Sequence, residues 1–239
     1  MKKTFLYVAL ALFAVTSCRK DENILQPEVS IETQNGYDDV AAKKFLETHY
    51  FDAKGKVQFL ADKDTVNVKL SDLSPVTLPS GVIYVMRPGA QPENGTVIGD
   101  ADKISLMHIS TSYVATDTDG KVMFNSPAVF GNTIAGSGIP EFDPLFYYAK
   151  KSVLDKAVND LAKKRNFYEI EGFREALQKF QAFDKDDASD YNLQGLIIVP
   201  SRAAFARDPH YNYTGMGYRN RSFIFNFQVY RSVAATDPR

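Results

Sequence analysis

The chain of 239 residues has no tryptophan, one cysteine and three histidines, and its 28 basic and 29 acidic residues leave a formal charge of -1. Each shortage removes a class of function. His49, His108 and His210 lie in three separate regions, and Cys18 is far from all of them. The clustered nitrogen and sulfur ligands of a zinc centre are therefore missing, and neither a metal nor another cofactor is expected. A charge so near zero offers no footprint for nucleic acid and no pull on a strongly charged ligand. The glycine-rich "GNTIAGSG" at 131–138 lacks the Lys-Ser/Thr continuation of a phosphate loop, "GMG" at 215–217 is too short for a dinucleotide site, and there is no G-x-S-x-G elbow. "DKDD" at 184–187 reads as a solvated turn rather than a calcium or acid–base cluster. No repeat of solenoid or propeller period is present.

What the sequence does have is apolar and aromatic material: 44% hydrophobic residues, with 17 Phe and 13 Tyr. That is enough for one or two packed domains, and it suits β-rich structure with apolar clefts. At the start, Lys2 and Lys3 precede an apolar stretch, 5–15, too short to span a bilayer comfortably. "VTSC" at 15–18 then resembles the lipobox of bacterial lipoproteins. The resemblance implies that 1–17 are a lipoprotein signal peptide and that lipidated Cys18 anchors the protein to the outer membrane. Several acyl chains, at about 0.8 kcal/mol per buried methylene, hold stably where one does not. "RKDE" at 19–22 is similar to the export signal of surface lipoproteins in some gram-negative lineages, and it reads equally as a solvated linker. The periplasmic and cell-surface faces both stay open. Residues 18–36 are polar and aperiodic, a flexible tether.

An N-terminal unit, 37–73, has helical character at 38–50, with Val40, Ala41, Phe45 and Leu46 sharing a face, then two short strands in "KVQFL" and "TVNVKL" about "ADKD". Strands follow at 78–89 and 104–114, and "DTDGK" supplies a turn in which Gly120 tolerates positive φ. "KSVLDKAVNDLAKK" sets Val153, Leu154, Ala157, Val158 and Leu161 in one helical stripe, and "EGFREALQKFQAF" does so for Phe173, Ala176, Leu177 and Phe180. In the last strand Phe223, Phe225, Phe227 and Val229 take one face, and Ile224, Asn226, Gln228 and Tyr230 the other. Strands, a short helix, then two terminal strands predict an α+β fold, an antiparallel β-sheet wrapped on that helix. Between those two strands runs a long loop, 201–221, of a length that usually binds something.

"IVPSRAAFA" and "NRSFIFNFQVY", flanking that loop, resemble the C-terminal signature of FKBP-type peptidyl-prolyl isomerases. "LPSGVIYVMRPG", "ISLMHIS", "DGKVMFNS" and "EIEGFREAL" are similar to four further segments of that family, in the same order. The resemblance covers 74–232, interrupted by an insert at 127–167, with 233–239 left as a tail. It implies a flap, 201–221, over a substrate proline, and walls made by Phe124, Ile170, Phe173, Phe205 and Phe225. Ile170 would offer its backbone N–H to a substrate carbonyl. Asn125 stands where the family has Asp, Phe173 where it has Trp and Phe205 where it has Tyr, while Ile109 aligns with the strand Tyr and Tyr113 could replace it. Tyr211 and Tyr213 would contact substrate from the flap. Phe223 and Phe227 are read as core.

Rotation about an X-Pro bond meets a barrier of roughly 20 kcal/mol because amide resonance is lost on twisting. A water-poor aromatic recess needs no nucleophile to favour the twisted amide. Two readings follow. One is a folding helper of the cell envelope acting on proline-containing polypeptide clients, with activity reduced by the altered polar residues. The other is a noncatalytic FKBP-like module that docks on an outer-membrane protein assembly through the insert.

Overall fold

The structure, a computed structural model, describes residues 28–235. The expected signal peptide, Cys18 and most of the tether lie outside that range, as do the last residues of the tail.

The first helix, α1 (Ile31–Thr48), begins where Ser30 caps it, its Oγ accepting the Thr33 N–H at 3.1 Å. It therefore starts inside the segment expected to be a tether. A Ser followed by residues able to bury a face is a start signal that the polar composition had obscured. α1 leads into a hairpin of β1 (His49–Phe51) and β2 (Val57–Phe59), closed by an Asp52 turn. "TVNVKL" forms no strand; only Lys69 bridges back to Tyr50.

Next come β3 (Val76–Thr77), β4 (Ile83–Met86), β5 (Thr96–Val97) and the long pair β6 (Lys103–Thr118) and β7 (Lys121–Asn132). Asp119 and Gly120, at φ 53° and 77°, make the tight two-residue turn that matches the twist of these strands. Then follow β8 (Glu141–Phe142), α2 (Lys151–Asp155), α3 (Glu171–Leu177), β9 (Gln181–Ala182), β10 (Gly195–Val199) and β11 (Arg221–Val233). The main sheet is antiparallel, in the order β3-β4-β10-β11-β6-β7, with β8 beside β6. Two further two-stranded pairs, β1-β2 and β5-β9, complete an α+β architecture. Among the described residues no helix is long and apolar enough to cross a membrane.

The sheet has two covered faces. α3 lies on one, so close that a Cβ on Gly172 would meet Val82, Val199 and Ala203 at 2.7–2.9 Å. Only glycine permits that approach, and the approach lets Phe173 reach Phe225. α1 covers the other face through Ala42 and Leu46, against Ile83, Val85, Leu196, Ile198 and Ile224.

Two helical expectations are corrected. The 151–164 stripe is one short helix, α2, followed by turns, with Val158 97% and Leu161 48% exposed. The amphipathic period is present, and Val153, Leu154 and Ala157 pack on Ala149, Ala162 and Tyr168, but Val158 and Leu161 stay exposed, so tertiary burial does not extend the helix. α3 stops at Leu177, because the chain must turn there for Phe180 to set its ring edge against Phe227 and Tyr84.

α1 is joined to the 201–221 loop through Asp38, which is fully buried. Its Oδ2 accepts the Ser201 N–H at 2.8 Å and the Ser201 hydroxyl at 2.6 Å, and its Oδ1 accepts from Gln34 Nε2 at 3.0 Å. Burial raises its pKa above the ordinary carboxylate range, outweighing these hydrogen bonds, which act the other way. Arg202 reaches Asp39 at 2.7 Å, and Arg219 grips Glu28 at 2.6 Å, adding surface ties between the same two segments.

Asp38→Ala strands the Ser201 donors and is expected to cost about 1–3 kcal/mol in denaturant melts. Because the native pKa is raised, the Asp38 contribution is fully present below the unfolded value and is lost as pH rises through the native one. The gap between wild type and variant should therefore narrow from about pH 4 upward. A gap that widens over that range contradicts the assignment.

Candidate functional site: an aromatic recess under the 201–221 loop

The pairing of β6 with β11 sets the site. Phe223, Phe225, Phe227 and Val229 oppose Ser112, Ser110, His108 and Leu106, so all eight side chains share one face. On that face Phe173 of α3 stacks on Phe225 with centroids 4.1 Å apart and planes at 29°. Ile170, at the N-terminal cap of α3, is buried beside them. Phe205 packs 6.0 Å from Phe223 and stacks on His210 at 4.6 Å. Ile170, Phe173, Phe205 and Phe225 thus belong to one aromatic cluster.

The wall residue Phe124 and the substrate-contact candidates Ile109 and Tyr113 lie on the other face of the sheet. Ile109 and Tyr113 have odd numbers on a strand whose inward residues are even, so both point to the face covered by α1. Phe124 pairs with Ala115 and shares their face, where it packs on Tyr113 at 5.4 Å and Phe45 at 6.2 Å. Two bulges explain the placement of Phe124: register shifts between Ser110/Thr111 and between Ser112/Val114 reset the alternation of β7. They turn Phe130 inward in place of Phe124. Asn125 pairs with Val114 on the even-numbered face, toward the end of the strand, and donates from Nδ2 to Thr116 Oγ1 at 2.7 Å. Ile109, Tyr113 and Phe124 instead line two adjoining cavities, of 330 and 180 Å³, with Phe45, His49 and Phe59 on the far side of the sheet.

Sequence reasoning missed Phe130, Phe146 and His210. Phe130 sits 5.2 Å from Phe223 and 6.0 Å from Phe225. Phe146, 3% exposed, lies 5.7 Å from both Phe173 and Phe225 and 5.1 Å from Phe130. Its carbonyl accepts the Ile170 N–H at 2.8 Å. His210 accepts the Tyr218 N–H on Nε2 at 2.8 Å, which leaves the proton on Nδ1, facing the Tyr211 carbonyl at 2.9 Å. Only the alternation of β7 hinted at Phe130, and no local pattern marked the others.

The insert at 127–167 is consequently part of the core. Phe130, Phe146, Tyr147 and Ala149 are buried, and Glu169, 1% exposed, accepts the Ala149 N–H at 2.8 Å while pairing with Arg165 and Arg174. Removing the insert would empty one side of the aromatic cluster.

The loop closes over this arrangement. Tyr213 sets its ring 5.2 Å from Phe130 and donates its hydroxyl to the Tyr168 carbonyl at 2.6 Å, while the Tyr211 N–H reaches the Phe167 carbonyl at 2.7 Å. Burial holds the Tyr213 phenol far above its ordinary pKa, so it stays protonated and able to donate. Tyr213→Phe removes one neutral hydrogen bond and should cost about 0.5–1.5 kcal/mol. Amide exchange at Tyr211 should accelerate in the variant; unchanged exchange there would show that the loop is held by other contacts.

No family model matches the sequence, and no curated protein does. Among solved structures, the chain is similar to a crystal structure of a peptidyl-prolyl cis-trans isomerase from Pseudomonas syringae pv. tomato. The identity is 12% and the TM-score 0.38, over 87% of this chain and 98% of that one. A likeness that loose assigns neither a family nor a reaction.

Proposed function

We propose that the protein is an FKBP-type peptidyl-prolyl isomerase and folding helper of the bacterial cell envelope, with activity well below that expected of an open site. The observation that carries this reading is the convergence of Phe173 and Phe225, stacked at 4.1 Å, with the Ile170 backbone at their rim. A dry aromatic floor favours a twisted prolyl amide, and a rim N–H can orient the neighbouring carbonyl. The carboxylate, indole and phenol that the family resemblance implies at positions 125, 173 and 205 are replaced by Asn125, Phe173 and Phe205. Each lost polar contact is worth about 0.5–1.5 kcal/mol, up to roughly tenfold in rate. Lipidation at Cys18 would hold the domain at the outer membrane, where unfolded prolyl clients pass.

One observation favours a second reading, a noncatalytic module docking on an outer-membrane protein assembly. The Ile170 N–H and the rings of the floor are already engaged by Phe146. The two readings part on one assay. The full chain, purified in detergent, should speed cis/trans relaxation of an Xaa-Pro reporter peptide weakly and in proportion to its concentration. A rate unchanged at the highest attainable concentration eliminates the isomerase and leaves the module.

A further inference from the structure

We infer that the recess is a binding site for a phenylalanyl carbonyl unit, occupied in cis by Phe146 of the protein's own strap at 140–150, and that any client must displace this internal ligand. The inference deepens the reading above and rests on it for the identity of the site.

Phe146 meets both halves of what a peptide ligand would have to supply. Its ring lies against Phe173, Phe225 and Phe130, with Phe225 nearly parallel at 28°. Its carbonyl takes the Ile170 N–H, which would otherwise be a buried donor at the cap of α3. Ring and carbonyl belong to one residue, so the same unit from another chain fits the same contacts. Tyr213 closes the mouth from above, 6.3 Å from the Phe146 ring.

The strap is fastened at its ends rather than at Phe146 alone. The Tyr147 and Tyr148 N–H groups both close onto the Pro144 carbonyl, and Lys150 meets Asp143 at 2.7 Å. The Ala149 N–H is held by Glu169, and the Tyr147 hydroxyl donates to the Gly99 carbonyl. A turn clipped on both sides presents its phenylalanine as a preorganised intramolecular ligand, which a free peptide must outcompete against a high effective concentration. The site therefore selects for clients that carry an aromatic side chain beside the bond being handled, the chemistry its own occupant displays.

The test supplies the occupant in trans. In Phe146→Ala the ring is gone, and the heptapeptide DPLFYYA, the strap's own sequence at 143–149, is the probe. Binding by the full chain in detergent should rise at least about tenfold over wild type, the factor carried by burying one phenyl ring. The backbone carbonyl at 146 is untouched by the substitution, so peptide binding, not exchange of the Ile170 amide, is the readout in this variant. The same peptide with alanine in place of its phenylalanine should not bind. A cooperatively folded Phe146→Ala that binds no peptide overturns the inference. Should that variant fail to fold, Glu169→Ala removes the acceptor of the Ala149 N–H and loosens the strap's end with Phe146 intact; faster Ile170 exchange with new peptide binding supports the in-cis ligand, and their absence overturns it. Peptide binding without faster prolyl relaxation keeps the internal ligand and removes the isomerase. Wild-type catalysis with no peptide binding by the variant does the reverse.

Discussion

The antiparallel register of β6 against β11 is the constraint from which the rest follows. It runs from Arg221↔Val114 to Val233↔Lys103 with one irregularity, near Arg231. A strand has only two faces, so fixing this register decides at once which aromatic rings meet. Phe223, Phe225 and Phe227 turn toward α3, while Ile224, Asn226 and Tyr230 turn away. Gly172 then lets α3 settle onto the sheet, and Phe173 completes the floor. Asp38 and Ser201 tie the helix of the opposite face to the loop that carries Phe205.

Two requirements meet in the recess, and one residue answers both. An empty apolar hollow the size of a phenyl ring would forfeit about 3–5 kcal/mol of packing. A backbone N–H buried without a partner is costly as well. Phe146 fills the hollow and accepts the hydrogen bond. A pocket that must stay open for substrate is normally held apart by rigid walls or left to water. Here the walls are the strap and the 201–221 loop, which carry aromatic rings of their own and close. The segment that reads as an insert is therefore the missing wall.

The opposite face of the sheet shows the same logic with a different outcome. Phe45 stacks on His49 at 3.7 Å, and Tyr113 and Phe124 lean in from the strands, yet the gap between α1 and the β1-β2 hairpin is incompletely filled. Cavities of 330 and 180 Å³ remain there. The residues that aligned with a family's pocket do line hollows, but on the wrong side of the sheet for Phe173 and Phe225.

Local pattern alone determined a good deal. The alternation of 223–230 named its two faces, "DTDGK" named its turn, and the helix at Phe173 was visible because period and composition act within a few residues. The Ser30 cap was legible too, though a polar setting hid it. What pattern could not carry was anything that depends on a register shift or on partners distant in the chain. Phe124 and Phe130 exchange faces through bulges that no residue type announces. Phe146 becomes a ligand only because Ile170 lies opposite it once the chain has folded. The stripe at 153–161 was a genuine helical period, but only Val153, Leu154 and Ala157 found a surface, on Ala149, Ala162 and Tyr168, and the helix ends at Asp155. Sequence fixes what each side chain can do to its near neighbours; the packing of sheet, strap and loop selects which neighbour it meets, because burial and hydrogen-bond satisfaction are settled over the whole molecule.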